Sequence, residues 1–315
     1  MPKLDESLKP AMHVQRSWSR KKLFLICIGI LLAAAIAIAL GVGLGIGLGR
    51  GDGQRIHGPS APAPTDSNNT VWQPEVGTSW QIEILYPLND TSFDARVYDI
   101  DLFINTPATI SHLHSLGRKV ICYFSAGTYE DWRPDAEAFE RCDLGNPLPD
   151  WPGEKFVDTT SANVRDIMAA RLDMARSKGC DGVDPDNVDS YANENGFGLT
   201  RDDAVNYVEW LARESHSRGL AVGLKNAGGI IEPVIGDMQW SINEQCAEFQ
   251  ECVVYQPFPQ AGKPVFHIEY PKGDENNHQR VTGRELQEAC NFPGAEDFST
   301  IIKNMNLNYW VQTCP

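Results

Sequence analysis

The sequence predicts an α/β protein: a (β/α)8 TIM-like barrel preceded by a single N-terminal transmembrane helix. Three observations carry that expectation. From Trp80 onward, short apolar runs alternate with helical patterns, and strands alternating with helices imply a parallel sheet. Several of those runs end in carboxylates, amides or a lysine, and in an α/β barrel the C-terminal strand ends form the catalytic mouth. Leu23 to Gly49 is 27 residues without a charge, longer than the roughly 20 residues a helix needs to cross a bilayer. An open doubly wound sheet is the competing topology.

The N-terminal third of this organisation is read from charge and composition. Residues 1–22 form a basic tail, and Arg20, Lys21 and Lys22 stand directly before the apolar run. The positive-inside rule places that tail in the cytoplasm. Residues 23–49 are then a signal-anchor, and the protein is expected in the cell membrane as a single-pass type II chain with its catalytic domain extracellular. A cleaved signal peptide fits less well, because its apolar region usually runs about 7–15 residues. The alternating glycines from Gly41 to Gly49 follow no strand, so they are not a dinucleotide fingerprint. Residues 50–71 mix Pro59, Pro62 and Pro64 with Ser, Asn and Gly, a linker composition that builds no core. The sequons at Asn68 and Asn89 are glycosylation acceptors if this side is lumenal. Residues 72–315 are the folded body. Residues 1–50 carry seven Lys/Arg against two acids, which leaves 20 basic and 40 acidic side chains, a net charge of −20, for the rest. Such a body repels nucleic acid and attracts cationic partners.

The elements follow in order. Strands are expected at 81–86, 97–103 and 119–125, with a helix from Pro107 to Gly117 between the second and third. Residues 128–160 are a long connection rich in Pro and Trp, and such loops usually serve as lids or walls. Ala162 to Lys178 is helical, with Val164, Ile167, Met168, Leu172 and Ala175 near one face and Gly179 as its cap. An acidic fourth strand starts at Asp181. Thr200 caps the next helix, with Asp202 and Asp203 in its first turn. Further strands are expected at 220–225, 238–244, 264–270 and 298–303. Seven cysteines lie beyond the apolar segment. An oxidising compartment permits disulfides, and the order suggests Cys246–Cys252, Cys290–Cys314 and Cys142–Cys180, with Cys122 as a buried free thiol. Spacing alone does not fix the connectivity.

The fourth strand carries the chemistry. Asp181-Gly-Val-Asp-Pro-Asp-Asn-Val-Asp-Ser190 begins as a buried strand and ends in Asp184, Asp186, Asn187 and Asp189. Carboxylates are costly to bury without a partner or a task, and Asp184 and Asp186 share a face. A simple turn is the bland reading, and an oxygen-ligand metal site is another. An EF-hand loop fails, since Asp189 and Asn195 stand where Gly and Glu are required. Other strand ends supply Tyr123 and Ser125, Lys225 and Asn226, and Asn243 and Glu244. Two carboxylates across one mouth suit glycoside hydrolysis. Lys225 beside Asp186 would keep that carboxylate charged, or form a structural ion pair. Trp80, Tyr123, Trp132, Tyr191 and Trp240 are the aromatics available to stack on sugar faces, though each alone also reads as core. His112, His114 and His267 have no triad partner in sequence, and no nucleophile elbow or P-loop is present. No zinc spacing or cofactor motif appears, so neither metal nor cofactor is expected.

Cys122-Tyr-Phe-Ser-Ala-Gly127, Cys180-Asp-Gly-Val-Asp-Pro-Asp-Asn-Val-Asp189, Gly223-Leu-Lys-Asn226 and Asn243-Glu-Gln-Cys246 resemble glycoside hydrolase family 114 over roughly residues 72–314. The resemblance implies a barrel-fold endo-α-1,4-polygalactosaminidase. It implies catalytic roles for Asp186 and Glu244, with Asp186 as nucleophile, Glu244 as acid/base and a retaining outcome. Asp184, Asn187, Asp189, Lys225, Asn226, Tyr123, Ser125 and the aromatics above are then the substrate-binding set. The membrane-anchored layout resembles a fungal member of that family that modifies exopolysaccharide, of the kind found in biofilms. The partner would be a cationic galactosamine-rich polysaccharide, with a monomeric catalytic domain. A non-catalytic surface carbohydrate-binding protein and a metal-dependent polysaccharide deacetylase are the competing functions.

Overall fold

The computed structural model describes residues 71–315. The expected tail, apolar segment and most of the linker, with the Asn68 sequon, lie outside the described residues. Among the described residues, no helix is long and apolar enough to cross a membrane.

The apolar runs become β1 (Trp80–Glu83), β2 (Val97–Asp101) and β3 (Lys119–Ser125). β4 (Thr128–Glu130), β5 (Leu144–Pro147) and β6 (Glu154–Val157) follow within the long connection. β7 (Gly182–Asp186), β8 (Ala221–Lys225), β9 (Trp240–Glu244), β10 (Val265–Glu269) and β11 (Phe298–Lys303) resume the main sheet, and β12 (Val311–Thr313) ends it. The main sheet runs β1-β2-β3-β7-β8-β9-β10-β11-β12. Its pairs are parallel except β11 with β12. The first strand β1 and the penultimate strand β11 meet through Trp80 Nε1–H to the Ser299 carbonyl at 2.7 Å and Lys303 Nζ to Gln81 Oε1 at 2.9 Å. The result is a nearly closed TIM-like barrel.

Helices α1 (Pro107–Ser115), α2 (Ala162–Lys178) and α3 (Arg201–Ser217) cover the outside of the first half. Their ends obey the sequence. Gly179 caps α2 with φ 91°, a conformation glycine adopts without a Cβ penalty. Thr200 and Asp203 form a reciprocal capping box on α3, satisfying two orphan donors. The second half is thinner, with α4 (Ile231–Val234), α5 (Pro257–Gln260) and α6 (Gly283–Cys290). Outward strand residues such as Val120, Phe124, Val183 and Leu224 pack under the helices in one buried cluster. Inward residues form a second cluster, with Trp80, Ile82, Trp240, Ile242 and Phe266 among its members.

That second cluster corrects the reading of two aromatics. Trp80 and Trp240 are 1% and 0% exposed, and Trp80 stacks on Phe266 with ring centroids 5.0 Å apart. They fill the barrel floor and have no face left for a sugar. Gly182 and Gly223 make room for Trp240: a Cβ at Gly182 would lie 2.5 Å from its ring, and one at Gly223 2.0 Å from Nε1.

The disulfides also differ in part from expectation. Cys246–Cys252 and Cys290–Cys314 form as expected. Cys122, however, pairs with Cys180, and Cys142 is the exposed free thiol. Cys122 faces outward from β3 toward the chain entering β7, so the parallel β3–β7 pairing brings it to Cys180. Cys142 sits instead on a short turn of the long connection (Arg141–Asp143).

Candidate active site

Parallel pairing stacks the polar strand ends in levels. Asp101 on β2 is level with Tyr123 on β3, and Tyr123 with Asp184 on β7. One step higher, Ser125 is level with Asp186. Lys225 comes from β8 and Glu244 from β9. The side chain of Lys225 is only 2% exposed, and its Nζ lies 3.4 Å from Asp186 Oδ1 and 3.3 Å from Glu244 Oε2. The carboxylates keep 17% and 24% of their side chains open to solvent. One buried cation thus bridges two carboxylates that face outward at the mouth. Coulomb attraction to Asp186 and Glu244 raises the Lys225 pKa well above its ordinary value despite burial.

Each carboxylate has further donors. Tyr123 donates its hydroxyl to Asp186 Oδ2 at 3.0 Å, and the Asn187 N–H donates to Oδ1 at 2.8 Å. Asn226 donates to Glu244 Oε2 at 3.2 Å and accepts the Glu244 N–H at 2.9 Å. Tyr270, just past β10, donates its hydroxyl to Glu244 Oε1. Burial favours the neutral acid at Glu244, but Lys225 and these hydrogen bonds outweigh it and hold the group below its ordinary value. The backbone turns sharply after each strand end. Asn187, Asn226, Ala227 and Gln245 all have positive φ, from 48° to 64°. Asn tolerates that region and Ala or Gln does so reluctantly, and such strain clusters at functional sites.

The remaining expected residues divide by location. Asp184 is fully buried below Asp186, out of reach of a ligand at the mouth. Ser125 is likewise buried, bonded to Thr128 at 2.5 Å and to the Asn187 amide at 3.0 Å, so it holds the loop and does not face substrate. Asp189 is half-buried, its carboxyl raised by burial and by Asp186. Tyr191 is also half-buried, its ring edge near Gly229. Trp132 is 52% exposed on the long connection. Asn89 is exposed.

Three groups were not singled out from sequence. Tyr270 shares a strand face with Phe266 and Ile268 by simple alternation, which is a usable signal. Asp99 and Asp101 repeat on β2 the i, i+2 carboxylate pattern of Asp184 and Asp186, and that signal was equally legible. Arg133 pairs with Asp101 at 2.6 Å and with Glu130 at 2.7 Å, all nearly buried. It ties the antiparallel β4-β6-β5 sheet to the barrel, and nothing in the local sequence marks it. His267 hydrogen-bonds Glu269 at 2.9 Å and lies 3.3 Å from Cys246 Sγ. Its clustering with Cys246 and Cys252 is not an open ligand set, because both sulfurs are in the disulfide.

The site therefore offers a charged carboxylate pair around a fixed cation, open on one side. The crystal structure of Aspergillus fumigatus Ega3 in complex with galactosamine is similar at 63% identity and a TM-score of 0.77, covering 78% of this chain and 98% of that one. The glycoside hydrolase domain of PelA from Pseudomonas aeruginosa shares the fold at 13% identity, with a TM-score of 0.56 over 74% of this chain and 98% of that chain. An uncharacterized protein of Deinococcus radiodurans is 29% identical over 188 residues, or 52% of this chain, and the match spans only 60% of that protein's length. The profile of glycoside-hydrolase family GH114 matches residues 61–315. The chain belongs to glycoside-hydrolase family GH114, and so stands among the glycosidases.

Proposed function

We propose that this chain is an endo-acting glycosidase that cleaves α-1,4-linked galactosamine in a cationic exopolysaccharide, using Asp186 and Glu244. The observation that carries this reading is the single buried Lys225 bridging both carboxylates at the barrel mouth. Their facing oxygens are no farther apart than about 7 Å, the sum of the two distances to Nζ. That bound covers the whole retaining range of about 5–5.5 Å and only the lower edge of the inverting one. Asp186 takes the nucleophile's role, as the family resemblance implies. Its Tyr123 and Asn187 hydrogen bonds fix the attacking oxygen, and the leaving oxygen takes its proton from Glu244. Lys225 holds Glu244 charged in the free enzyme, so Glu244 takes its proton from solvent as substrate enters, and the desolvation that follows favours keeping the neutral acid.

The substrate class rests on charge. Amino sugars without acetyl groups are cationic, and the −20 body attracts them. The galactosamine held in the Ega3 crystal supports the same class. Exposed Trp132 and half-buried Tyr191 are the aromatics left to stack on the polymer. Residues 23–49 anchor the chain with the catalytic domain outside, and Asn68 and Asn89 carry glycans there. A purely carbohydrate-binding protein needs no bridged carboxylate pair. The test is incubation of the full chain in detergent with acetylated and de-N-acetylated α-1,4-galactosamine oligomers, followed by product mass analysis. Internal fragments from the de-N-acetylated oligomers are expected. Intact oligomers after prolonged incubation would refute the reading.

A further inference from the structure

Below the Asp186–Lys225–Glu244 level sits a second carboxyl pair that the mechanism above does not use. Asp99 on β2 is level with Ile121 on β3, which is level with Gly182 on β7, so Asp99 stands one step beneath Asp184. Both side chains are 0% exposed. Among the described residues, none of their four carboxyl oxygens receives a hydrogen bond from another residue's N–H or O–H. Two ionised carboxylates sealed together without a donor would cost several kcal/mol each. One proton between them resolves this, because the protonated acid donates to its ionised neighbour, as the side-chain contact of the two groups permits. Like carboxyls sharing a site separate their titrations in this way. The charged groups acting on the pair are Lys225 from β8, Asp186 from β7 and Glu244 from β9.

We propose, building on the glycosidase reading, that Asp99 and Asp184 keep one shared proton and act as a single negative charge that positions Lys225 beneath Asp186 and Glu244. The buried ammonium then has a counter-charge on its lower side as well as its upper side. Lys225 is drawn less completely toward Glu244, which can take up the proton its acid role requires. Asp99 and Asp184 are positioning residues; they do not touch substrate.

Infrared spectroscopy of the protein without substrate tests the shared proton. At neutral pH the native-minus-variant difference spectrum should show one protonated-carboxyl C=O band for both Asp99→Asn and Asp184→Asn, with the bands of Glu83 and Glu154 cancelling, because each variant leaves one carboxylate with an amide donor. Absence of that band from both difference spectra would overturn the proposal, even if the enzyme cleaves galactosamine oligomers. The positioning role is read from the pH profile of kcat. Each single Asn variant retains one negative charge and should keep the native basic limb. The double variant Asp99→Asn/Asp184→Asn removes that charge, leaves Lys225 to act on Glu244 unopposed, and should move the basic limb to lower pH. A folded double variant with the native limb would overturn it. If the double variant does not fold, a limb shift in either folded single variant does the same. Loss of galactosamine cleavage in the native enzyme would sink the glycosidase reading alone and leave the infrared result standing.

Discussion

At the scale of single residues, Glu244 is the group whose protonation the site controls most closely. Tyr270 and Lys225 both favour its charged form. Removing the hydroxyl in Tyr270→Phe raises the Glu244 pKa, so the basic limb of the kcat profile should move to higher pH while KM changes little. An unmoved limb would mean that this hydrogen bond does not tune the acid. Lys225→Met removes the cation between the two carboxylates, and turnover should fall by at least about 100-fold, the scale typical of a lost electrostatic stabiliser. At this scale the sequence was legible where strand alternation was followed to its end. Asp184 and Asp186 follow from it, and Lys225 and Glu244 from their places at strand ends. Asp99, Asp101 and Tyr270 obey the same alternation but stood in runs without a dense acidic motif. Ser125 was misplaced because strand position alone does not say whether a hydroxyl faces the mouth or the loop behind it.

At the scale of elements, the strands and the first three helices follow from apolar periodicity and caps. What sequence could not supply was partner choice across long separations. Cys122 and Cys180 are 58 residues apart and meet only because β3 and β7 are neighbours. Replacing both by serine should lower stability by about 2–5 kcal/mol, seen as a lower denaturant midpoint, whereas Cys142→Ser should leave the midpoint unchanged. The small antiparallel sheet within 128–160 is not legible in the sequence, which predicts only a lid or wall there, since its strands are short and lack alternation. The floor offers a second element-scale test. Gly223→Ala places a methyl group against Trp240 Nε1, and overpacking of this kind costs about 1–3 kcal/mol. A native melting temperature in that variant would show that the Trp240 ring can yield.

At the scale of the whole molecule, buried carboxyls set the pH dependence of stability. Burial pushes Glu83 and Asp184 up to about 7 and Glu154 up to about 8, from ordinary values of 4.5, 3.8 and 4.5. A group whose folded pKa is raised contributes stability that is complete below its unfolded value and lost as pH rises through the folded one. Lys303 acts oppositely: burial lowers it to about 7 from 10.5, so its contribution improves above neutrality. The melting temperature should therefore fall between about pH 4.5 and pH 7 and recover in part above about pH 8 as Lys303 contributes; a rise between about pH 4.5 and pH 7 would contradict the burial of these acids. Net charge also acts at this scale. Affinity for a cationic polymer should weaken with added salt, because screening shortens to about 8 Å at physiological ionic strength. The central claim is that Asp186 and Glu244 together perform the cleavage. It is tested most directly by turnover of Asp186→Asn and Glu244→Gln on de-N-acetylated α-1,4-galactosamine oligomers, with native melting verified for each. Each variant should lose at least about 100-fold, the scale of a missing acid–base group; full turnover in either folded variant would contradict the account.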